Sequence, residues 1–445
     1  MVVAVSCLLS AFSLKAQATN DILRITLDDA LKIALSENLT VQVADQEIEK
    51  KKYEKKGTYA SLFPQVDLSG SYQRTLDHQV MYMDGMGDEM SNSGIKVGRD
   101  NSWSGGIVAS MPLVSVSLWK SLSISSRGVE LAVEKARSSR IDLIDQVKQA
   151  YYTVLLARDS YEVFKDAYDN AVKNYNDIER KFNEGVLAEY DLIRANVNVK
   201  NAEPNVYDAE NSLILAHWQL KAVLGLDLNL NLECIGSLAD YENQLADEVF
   251  AISDLSLRNN STLKQLDIQL NQLKKTKEMQ EAQYYPSLSL QYSYTMNALN
   301  NDFKINNYQW DPYSYLGVSL TIPVFSGGKR YADVKQSKIN ISQLAKERTD
   351  MERNLQVAAK QSADQMSTCV KQYYSALAGV KESEKGYEIT MARYDSGTGT
   401  MLDINDSQLS LTQARLNLNQ SIYNYLVAKS ALRKTLGNNL DEITE

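Results

Sequence analysis

Histidine occurs only twice in the 445 residues, at His78 and His217. That is too few for a histidine-based zinc cluster, and no catalytic constellation that would make a plausible triad appears with either of them. Three cysteines, Cys7, Cys234 and Cys369, make no disulfide framework, and the last two read as free, half-buried thiols. Glycine-rich phosphate loops are missing: Gly327-Gly328 reads as the end of a strand and the start of a helix. These absences leave no catalytic constellation, so neither an enzyme nor a cofactor is expected. Net charge is −9, and no basic patch, RNP-like aromatic run or zinc spacing offsets it, which argues against nucleic acid. Only six prolines occur, and no linker or low-complexity segment separates domains. Beyond the N-terminus no 20-residue apolar run exists, and mean hydropathy is −0.34, so no membrane-spanning helix is expected. Phenylalanine is scarce, at seven, whereas tyrosine is abundant, at 26.

The N-terminus, MVVAVSCLLSAFSLKAQATN, reads as a secretory signal over residues 1–18, although a basic n-region is missing. Its apolar core runs from Val2 to Leu14, and Ala16-Gln-Ala18 supplies small residues for cleavage. Cys7, preceded by Ala-Val-Ser, also admits a lipoprotein reading.

What is present is a plan used twice. Pro64-Gln-Val-Asp-Leu-Ser-Gly-Ser-Tyr72 matches Pro286-Ser-Leu-Ser-Leu-Gln-Tyr-Ser-Tyr294 at an offset of 222. Leu224-Gly225 matches Leu436-Gly437 at an offset of 212, and Lys181–Leu192 (KFNEGVLAEYDL) matches Arg393–Ile404 (RYDSGTGTMLDI) at the same offset. Each half reads as helix, strand, loop, strand, very long helix, turn, long helix. The halves are placed at residues 19–226 and 253–437, joined by a connecting segment at 227–252 and followed by a tail at 438–445.

Strands are predicted at about 65–75, 102–113, 287–297 and 313–323, each alternating with period two. In the first, Val66, Leu68, Gly70 and Tyr72 oppose Asp67, Ser69, Ser71 and Gln73. In the third, Leu288, Leu290, Tyr292 and Tyr294 oppose Ser287, Ser289, Gln291 and Ser293. Their length suits a tilted strand crossing a bilayer, with the serine-rich face toward a wet lumen. A soluble sheet resting one face on a core is the alternative. Heptads mark the helices. Val147, Ala150, Val154, Ala157 and Tyr161 begin a 3-4 spacing that reaches Phe182, and Leu192 to Val223 and Ile404 to Thr435 repeat it. The run from about Leu118 to Phe182 spans roughly 100 Å at 1.5 Å per residue. Pro204 is expected to kink the returning helix. Four membrane strands cannot close a barrel alone, since small barrels need about eight, so oligomerisation is expected.

Taken in this order, twice, these features resemble the TolC family of outer-membrane efflux factors. The markers are Leu27-Asp-Asp-Ala-Leu with Asn38, the two proline-flanked strand pairs, the two glycine turns and the two Leu-Gly helix ends. The resemblance implies a mixed α and β fold with two internal repeats. Four strands per chain contribute to a 12-stranded β-barrel in a homotrimer, continuous with a coiled-coil α-helical barrel. It implies a passive exit duct in the outer membrane of a Gram-negative cell, extending into the periplasm. Its partners would be outer-membrane lipid, a periplasmic adaptor and an inner-membrane RND, ABC or MFS pump. A periplasmic coiled-coil scaffold without a pore is the alternative; it explains the heptads but not the signal or the alternating strands.

The two turns, at about 183–190 and 395–402, resemble hairpin tips that receive the adaptor, here Gly185, Val186, Leu187, Gly397, Thr398 and Gly399. Asp403 and Asp406 stand where the family's ring of gate aspartates would be, and Tyr394 with Asp191 matches its tyrosine–aspartate latch. Read from the residues alone, the aspartates equally complement the N-terminal dipole of a helix. The family's gate arginine falls on Gly399, which leaves Arg393 or Arg194 as substitutes. Inside the first inter-strand loop, His78, Met81, Met83, Met86 and Met90 carry ligand types suited to soft copper, but a variable loop is the plainer reading and no metal is expected.

Overall fold

Four strands form one antiparallel sheet in the computed structural model, which describes residues 22–81, 95–242 and 255–438. They are β2 (Gln65–Arg74), β5 (Asn101–Val114), β7 (Ser287–Asn300) and β8 (Asp311–Thr321), in the order β2-β5-β7-β8. Residues directly opposite in an antiparallel pair point to the same face. The register therefore decides whether four alternating sequences make one apolar face or a mixture. Here Leu68 lies opposite Ile107, which lies opposite Tyr294; Val66, Ala109, Tyr292 and Leu316 form the next row. Met111, Leu290 and Val318 form a third row, while Ser71, Ser104, Asn297 and Asp311 share the other face. Ser71 and Ser104 hydrogen-bond across it at 2.7 Å. The apolar face is uncovered: Leu68 is 81% exposed, and Leu316, Val318 and Leu320 are also exposed. A short hairpin, β3 (Gln79–Met81) with β4 (Ile95–Val97), lies between β2 and β5 in sequence.

The sheet belongs to one of two compact units, made of Ala44–Ala136 and Ser261–Met351. Also in that unit are most of α2 (Leu39–Ala60), α5 (Ser261–Ala282) and the beginnings of α3 (Val116–Asn183) and α6 (Lys329–Asp395). The helices are stitched by Lys120–Glu278 at 2.8 Å and Arg348–Asp267 at 2.6 Å.

The other unit holds the rest of α3 and α6 together with α4 (Glu189–Leu224) and α7 (Met401–Leu436). Every heptad position predicted on α3 from Val147, on α4 and on α7 is buried or half-buried, so the 3-4 stripe is the packing face. Pro204 lies inside α4 without ending it. A second buried face on α3, with Tyr151, Tyr152 and Leu155, was not predicted. It is covered by the N-terminal segment: β1 (Leu23–Ile25) pairs in parallel with β6 (Leu232–Cys234), and α1 (Leu27–Glu37) follows, capped by a reciprocal Thr26–Asp29 box. Tyr151 donates its hydroxyl to the carbonyl oxygen of Ile235 at 2.5 Å.

One joint occurs twice. Asn38 Nδ2 donates to the Val223 carbonyl at 2.8 Å, and Asn260 Nδ2 donates to the Thr435 carbonyl at 2.7 Å. In each case an asparagine beside a helix start satisfies a carbonyl near the end of a long helix, where intrahelical donors run out. Among the described residues no helix is long and apolar enough to cross a membrane. Residues 1–18, Cys7, Met83, Met86 and Met90 lie outside the described residues.

Candidate functional site

Two turns built the same way end α3 and α6. At the first, Gly185 N–H donates to Phe182 O at 2.8 Å and Val186 N–H to Lys181 O at 2.9 Å. At the second, Gly397 N–H donates to Tyr394 O at 3.0 Å and Thr398 N–H to Arg393 O at 2.9 Å. Both are Schellman caps, which need a left-handed residue after the helix. Gly185 and Gly397 supply it with φ of +77° and +74°. No atom lies within 4 Å of where a Cβ would stand at either glycine, so both turns face open space.

The second tip is more heavily tied. Arg393 O also accepts from the Ser396 and Thr398 hydroxyls, and Thr400 begins α7 with a capping box. Thr400 donates to Asp403 Oδ2 from its backbone at 2.9 Å and from its hydroxyl at 2.8 Å, and Asp403 N–H returns a bond to Thr400 Oγ1. These hydrogen bonds hold the Asp403 carboxyl below the ordinary carboxylate value, with a smaller pull from Arg393. Asp403 thus performs the helix-start role named as the alternative for it. Asp406, one turn on, is exposed and has no such bond.

Behind the turns the two hairpins share a small core of Ile178, Ala195, Met401 and Ile404. Leu187 packs partly against it and is half-buried, whereas Val186 is 69% exposed. Tyr394 packs there too, and its hydroxyl is buried without a hydrogen-bond partner. Burial, then the charges of Asp191 and Asp395, raise its pKa. The charge of Asp191 thus acts on the Tyr394 hydroxyl without a hydrogen bond between them in this chain. Lys181 stands over the Tyr394 ring at 5.3 Å and pairs with Asp395 at 3.7 Å.

Gly399 stands where the family's gate arginine falls, and a Cβ there would lie 3.0 Å from Tyr394 N and 3.2 Å from Arg393 C, a tight fit in which the neighbouring backbone would have to give by a few tenths of an ångström. Arg393 folds over its own turn, donating to Thr398 O at 3.4 Å. Farther from the tip, Arg415 on α7 binds Glu384 of α6 at 2.8 Å and Asp166 of α3 at 3.5 Å. Lys181–Asp395 and Arg415–Asp166 are charged ties between the first-half and second-half hairpins that sequence reasoning missed. Pairing across the whole chain leaves no local signal.

His78 Nε2 lies 3.1 Å from Asp100 Oδ1, and Met81 pairs with Ile95 in the β3–β4 hairpin. No cluster of three metal-ligating His, Cys, Asp or Glu side chains occurs among the described residues.

Residues 30–226 and 252–438 match the outer membrane efflux protein family. The chain is 22% identical over 336 residues to outer membrane protein TolC of Vibrio cholerae serotype O1, spanning 75% of this chain and 76% of that protein. In fold it is similar to the Campylobacter jejuni CmeC outer membrane channel, with a TM-score of 0.71 at 20% identity over 94% of this chain and 89% of that one. The open state of the Neisseria gonorrhoeae MtrE outer membrane channel gives a TM-score of 0.73 at 18% identity, over 93% of this chain and 89% of that one.

Proposed function

The chain belongs to the outer membrane efflux protein family, and on that premise we propose that three copies form a passive exit duct for a tripartite efflux or type I secretion system. Its place is the outer membrane, like that of its relatives. The observation that carries the reading is the sheet. One face is apolar and uncovered, the other carries serine, threonine and asparagine, and β2 and β8 are its two edges. In lipid, unpaired edge groups are prohibitively costly, so the sheet must close on something. Three copies supply 12 strands, enough for a barrel with a wet lumen. The heptad helices then make the periplasmic tunnel, built on the two repeats.

At the tunnel's end, Gly185, Val186, Gly397 and Thr398 form the surface offered to the adaptor, with the inner-membrane RND, ABC or MFS pump beyond it. Asp406 is the better candidate for a lumen-facing ring, since Asp403 spends one carboxylate oxygen on its cap. Lys181–Asp395 and Arg415–Asp166 take the part of the missing arginine in holding the hairpins together. The scaffold alternative leaves the bare apolar sheet face without a purpose.

The test is the mass of the purified protein in detergent together with planar-bilayer recording. A trimer that conducts is expected. A stable monomer, or extraction from membranes by salt alone, would refute the duct.

A further inference from the structure

The register sets Gln65, Val114, Ser287 and Thr321 at one end of the sheet, the end from which α2, α3, α5 and α6 depart. That end is rich in exposed aromatic and apolar side chains. Phe63 is 65% exposed, Tyr285 61% and Phe325 86%. It is also locally basic in a chain of net charge −9. On α2 the run Glu49-Lys-Lys-Lys-Tyr-Glu-Lys-Lys56 ends eight residues before the strand's proline, Pro64. Lys50 and Lys51 are taken by Glu47 and Glu54. Lys52 and Lys55 have no carboxylate partner among the described residues, and Lys56 stands over the Tyr53 ring at 4.7 Å. Glu49, Lys52, Tyr53, Lys56 and Tyr59 of α2, with Phe63 just beyond its end and Val129 of α3, line an open groove of about 680 Å³.

We propose that this face of α2 binds the headgroup of an anionic phospholipid in the leaflet where the helices meet the membrane. The inference rests on the reading of the sheet as a membrane wall. Lysines without partners supply charge for a phosphate, and amphipathic tyrosines with a phenylalanine seat at the headgroup level. Arranged on one helical face, they serve a planar charged surface better than a peptide, which would need backbone donors and acceptors. The apolar sheet face fixes depth in the bilayer without choosing a lipid; the lysine face adds the choice.

The full-length protein is placed in nanodiscs of phosphatidylethanolamine with and without phosphatidylglycerol, then stripped in detergent. Retained phospholipid is counted by native mass spectrometry, and conductance is recorded in parallel. Wild type is expected to retain phosphatidylglycerol over phosphatidylethanolamine. Lys52→Gln/Lys55→Gln/Lys56→Gln should retain it at least about tenfold less, on the basis of the attraction of each lysine to an anionic surface. Arginine at the same three positions should retain it, as should the equal-charge control Lys360→Gln/Lys371→Gln/Lys381→Gln on α6. Equal retention of both lipids by wild type, or full retention by the glutamine variant, overturns the proposal. Dissociation of the glutamine variant into monomers also overturns it, by making the face a contact between copies. A protein that selects phosphatidylglycerol but never conducts would refute the duct and leave the lipid site standing; one that conducts without selecting would do the reverse.

Discussion

Removing Lys181 and Arg415 together should open the tip. Two of the ion pairs that join the hairpins, Lys181–Asp395 at 3.7 Å and Arg415–Asp166 at 3.5 Å, are partly exposed, with side-chain accessibilities of 32% and 67% in the first and 35% and 65% in the second. Water and salt screen such pairs to about 0.2–1 kcal/mol each. One pair would scarcely matter in a monomer. In the proposed symmetric trimer each substitution acts three times, and if the tip opens in one concerted step the terms add. At about 0.5 kcal/mol per pair, Lys181→Met removes about 1.5 kcal/mol per trimer, roughly a tenfold gain in the open-to-closed ratio. The Lys181→Met/Arg415→Met variant removes about 3 kcal/mol, roughly a hundredfold. Arg415 also holds Glu384 within its own hairpin, so Asp166→Asn isolates the cross-hairpin part. Planar-bilayer recording in 0.1 M and 1 M KCl reads both size and mechanism. The Debye length falls from about 10 Å to about 3 Å between these salts. Wild type should open more readily in high salt, whereas the double variant should be open in both. The charge swap Lys181→Asp/Asp395→Lys should restore closure. A double variant with wild-type closed conductance and unchanged salt response would refute the reasoning.

Gly397→Ala should cost roughly 1–2 kcal/mol from its left-handed φ alone, because nothing crowds the site. Gly437→Ala should cost markedly more by calorimetry in detergent, since its Cβ would fall on the Asn259 carbonyl as well as meeting a φ of +81°. Asp406→Ala should weaken block by trivalent cations more than Asp403→Ala, which should instead lower the thermal stability of the tip. Asp403 has its folded-state pKa lowered, so its contribution is complete above the ordinary value of 3.8 and fades as pH falls through the lowered one; tip stability should be flat from about pH 8 to about pH 5 and decline only in stronger acid. Tyr394→Phe removes a buried hydroxyl without a partner and should be neutral or stabilising in a melt, with unchanged conductance; a rise in conductance would mean that the latch forms in the assembled channel.

The sequence by itself determined the elements and their faces. Period-two alternation marks which side of each strand is apolar and excludes any one-residue slip, which would reverse it, but slips of two keep the faces, so the alignment of Leu68, Ile107 and Tyr294 was decided by the tertiary structure. Heptads mark the packing stripe of the helices in the same way, and glycines at 185 and 397 mark turns that a bulkier residue resists. Tertiary structure decided everything that joins distant segments. The three-residue strands β1 and β6 are too short to carry a period, so the second buried face of α3 around Tyr151 and Tyr152 had no signature. Nothing in the sequence near Lys181 points to Asp395, nor does anything near Arg415 point to Asp166, because an ion pair depends only on which helices lie side by side. The same holds for the tip. Asp403 was legible as an acid in the first turn of a helix, but its engagement with Thr400, the inward turn of Leu187 and the stranded Tyr394 hydroxyl follow from how two hairpins share one small apolar core.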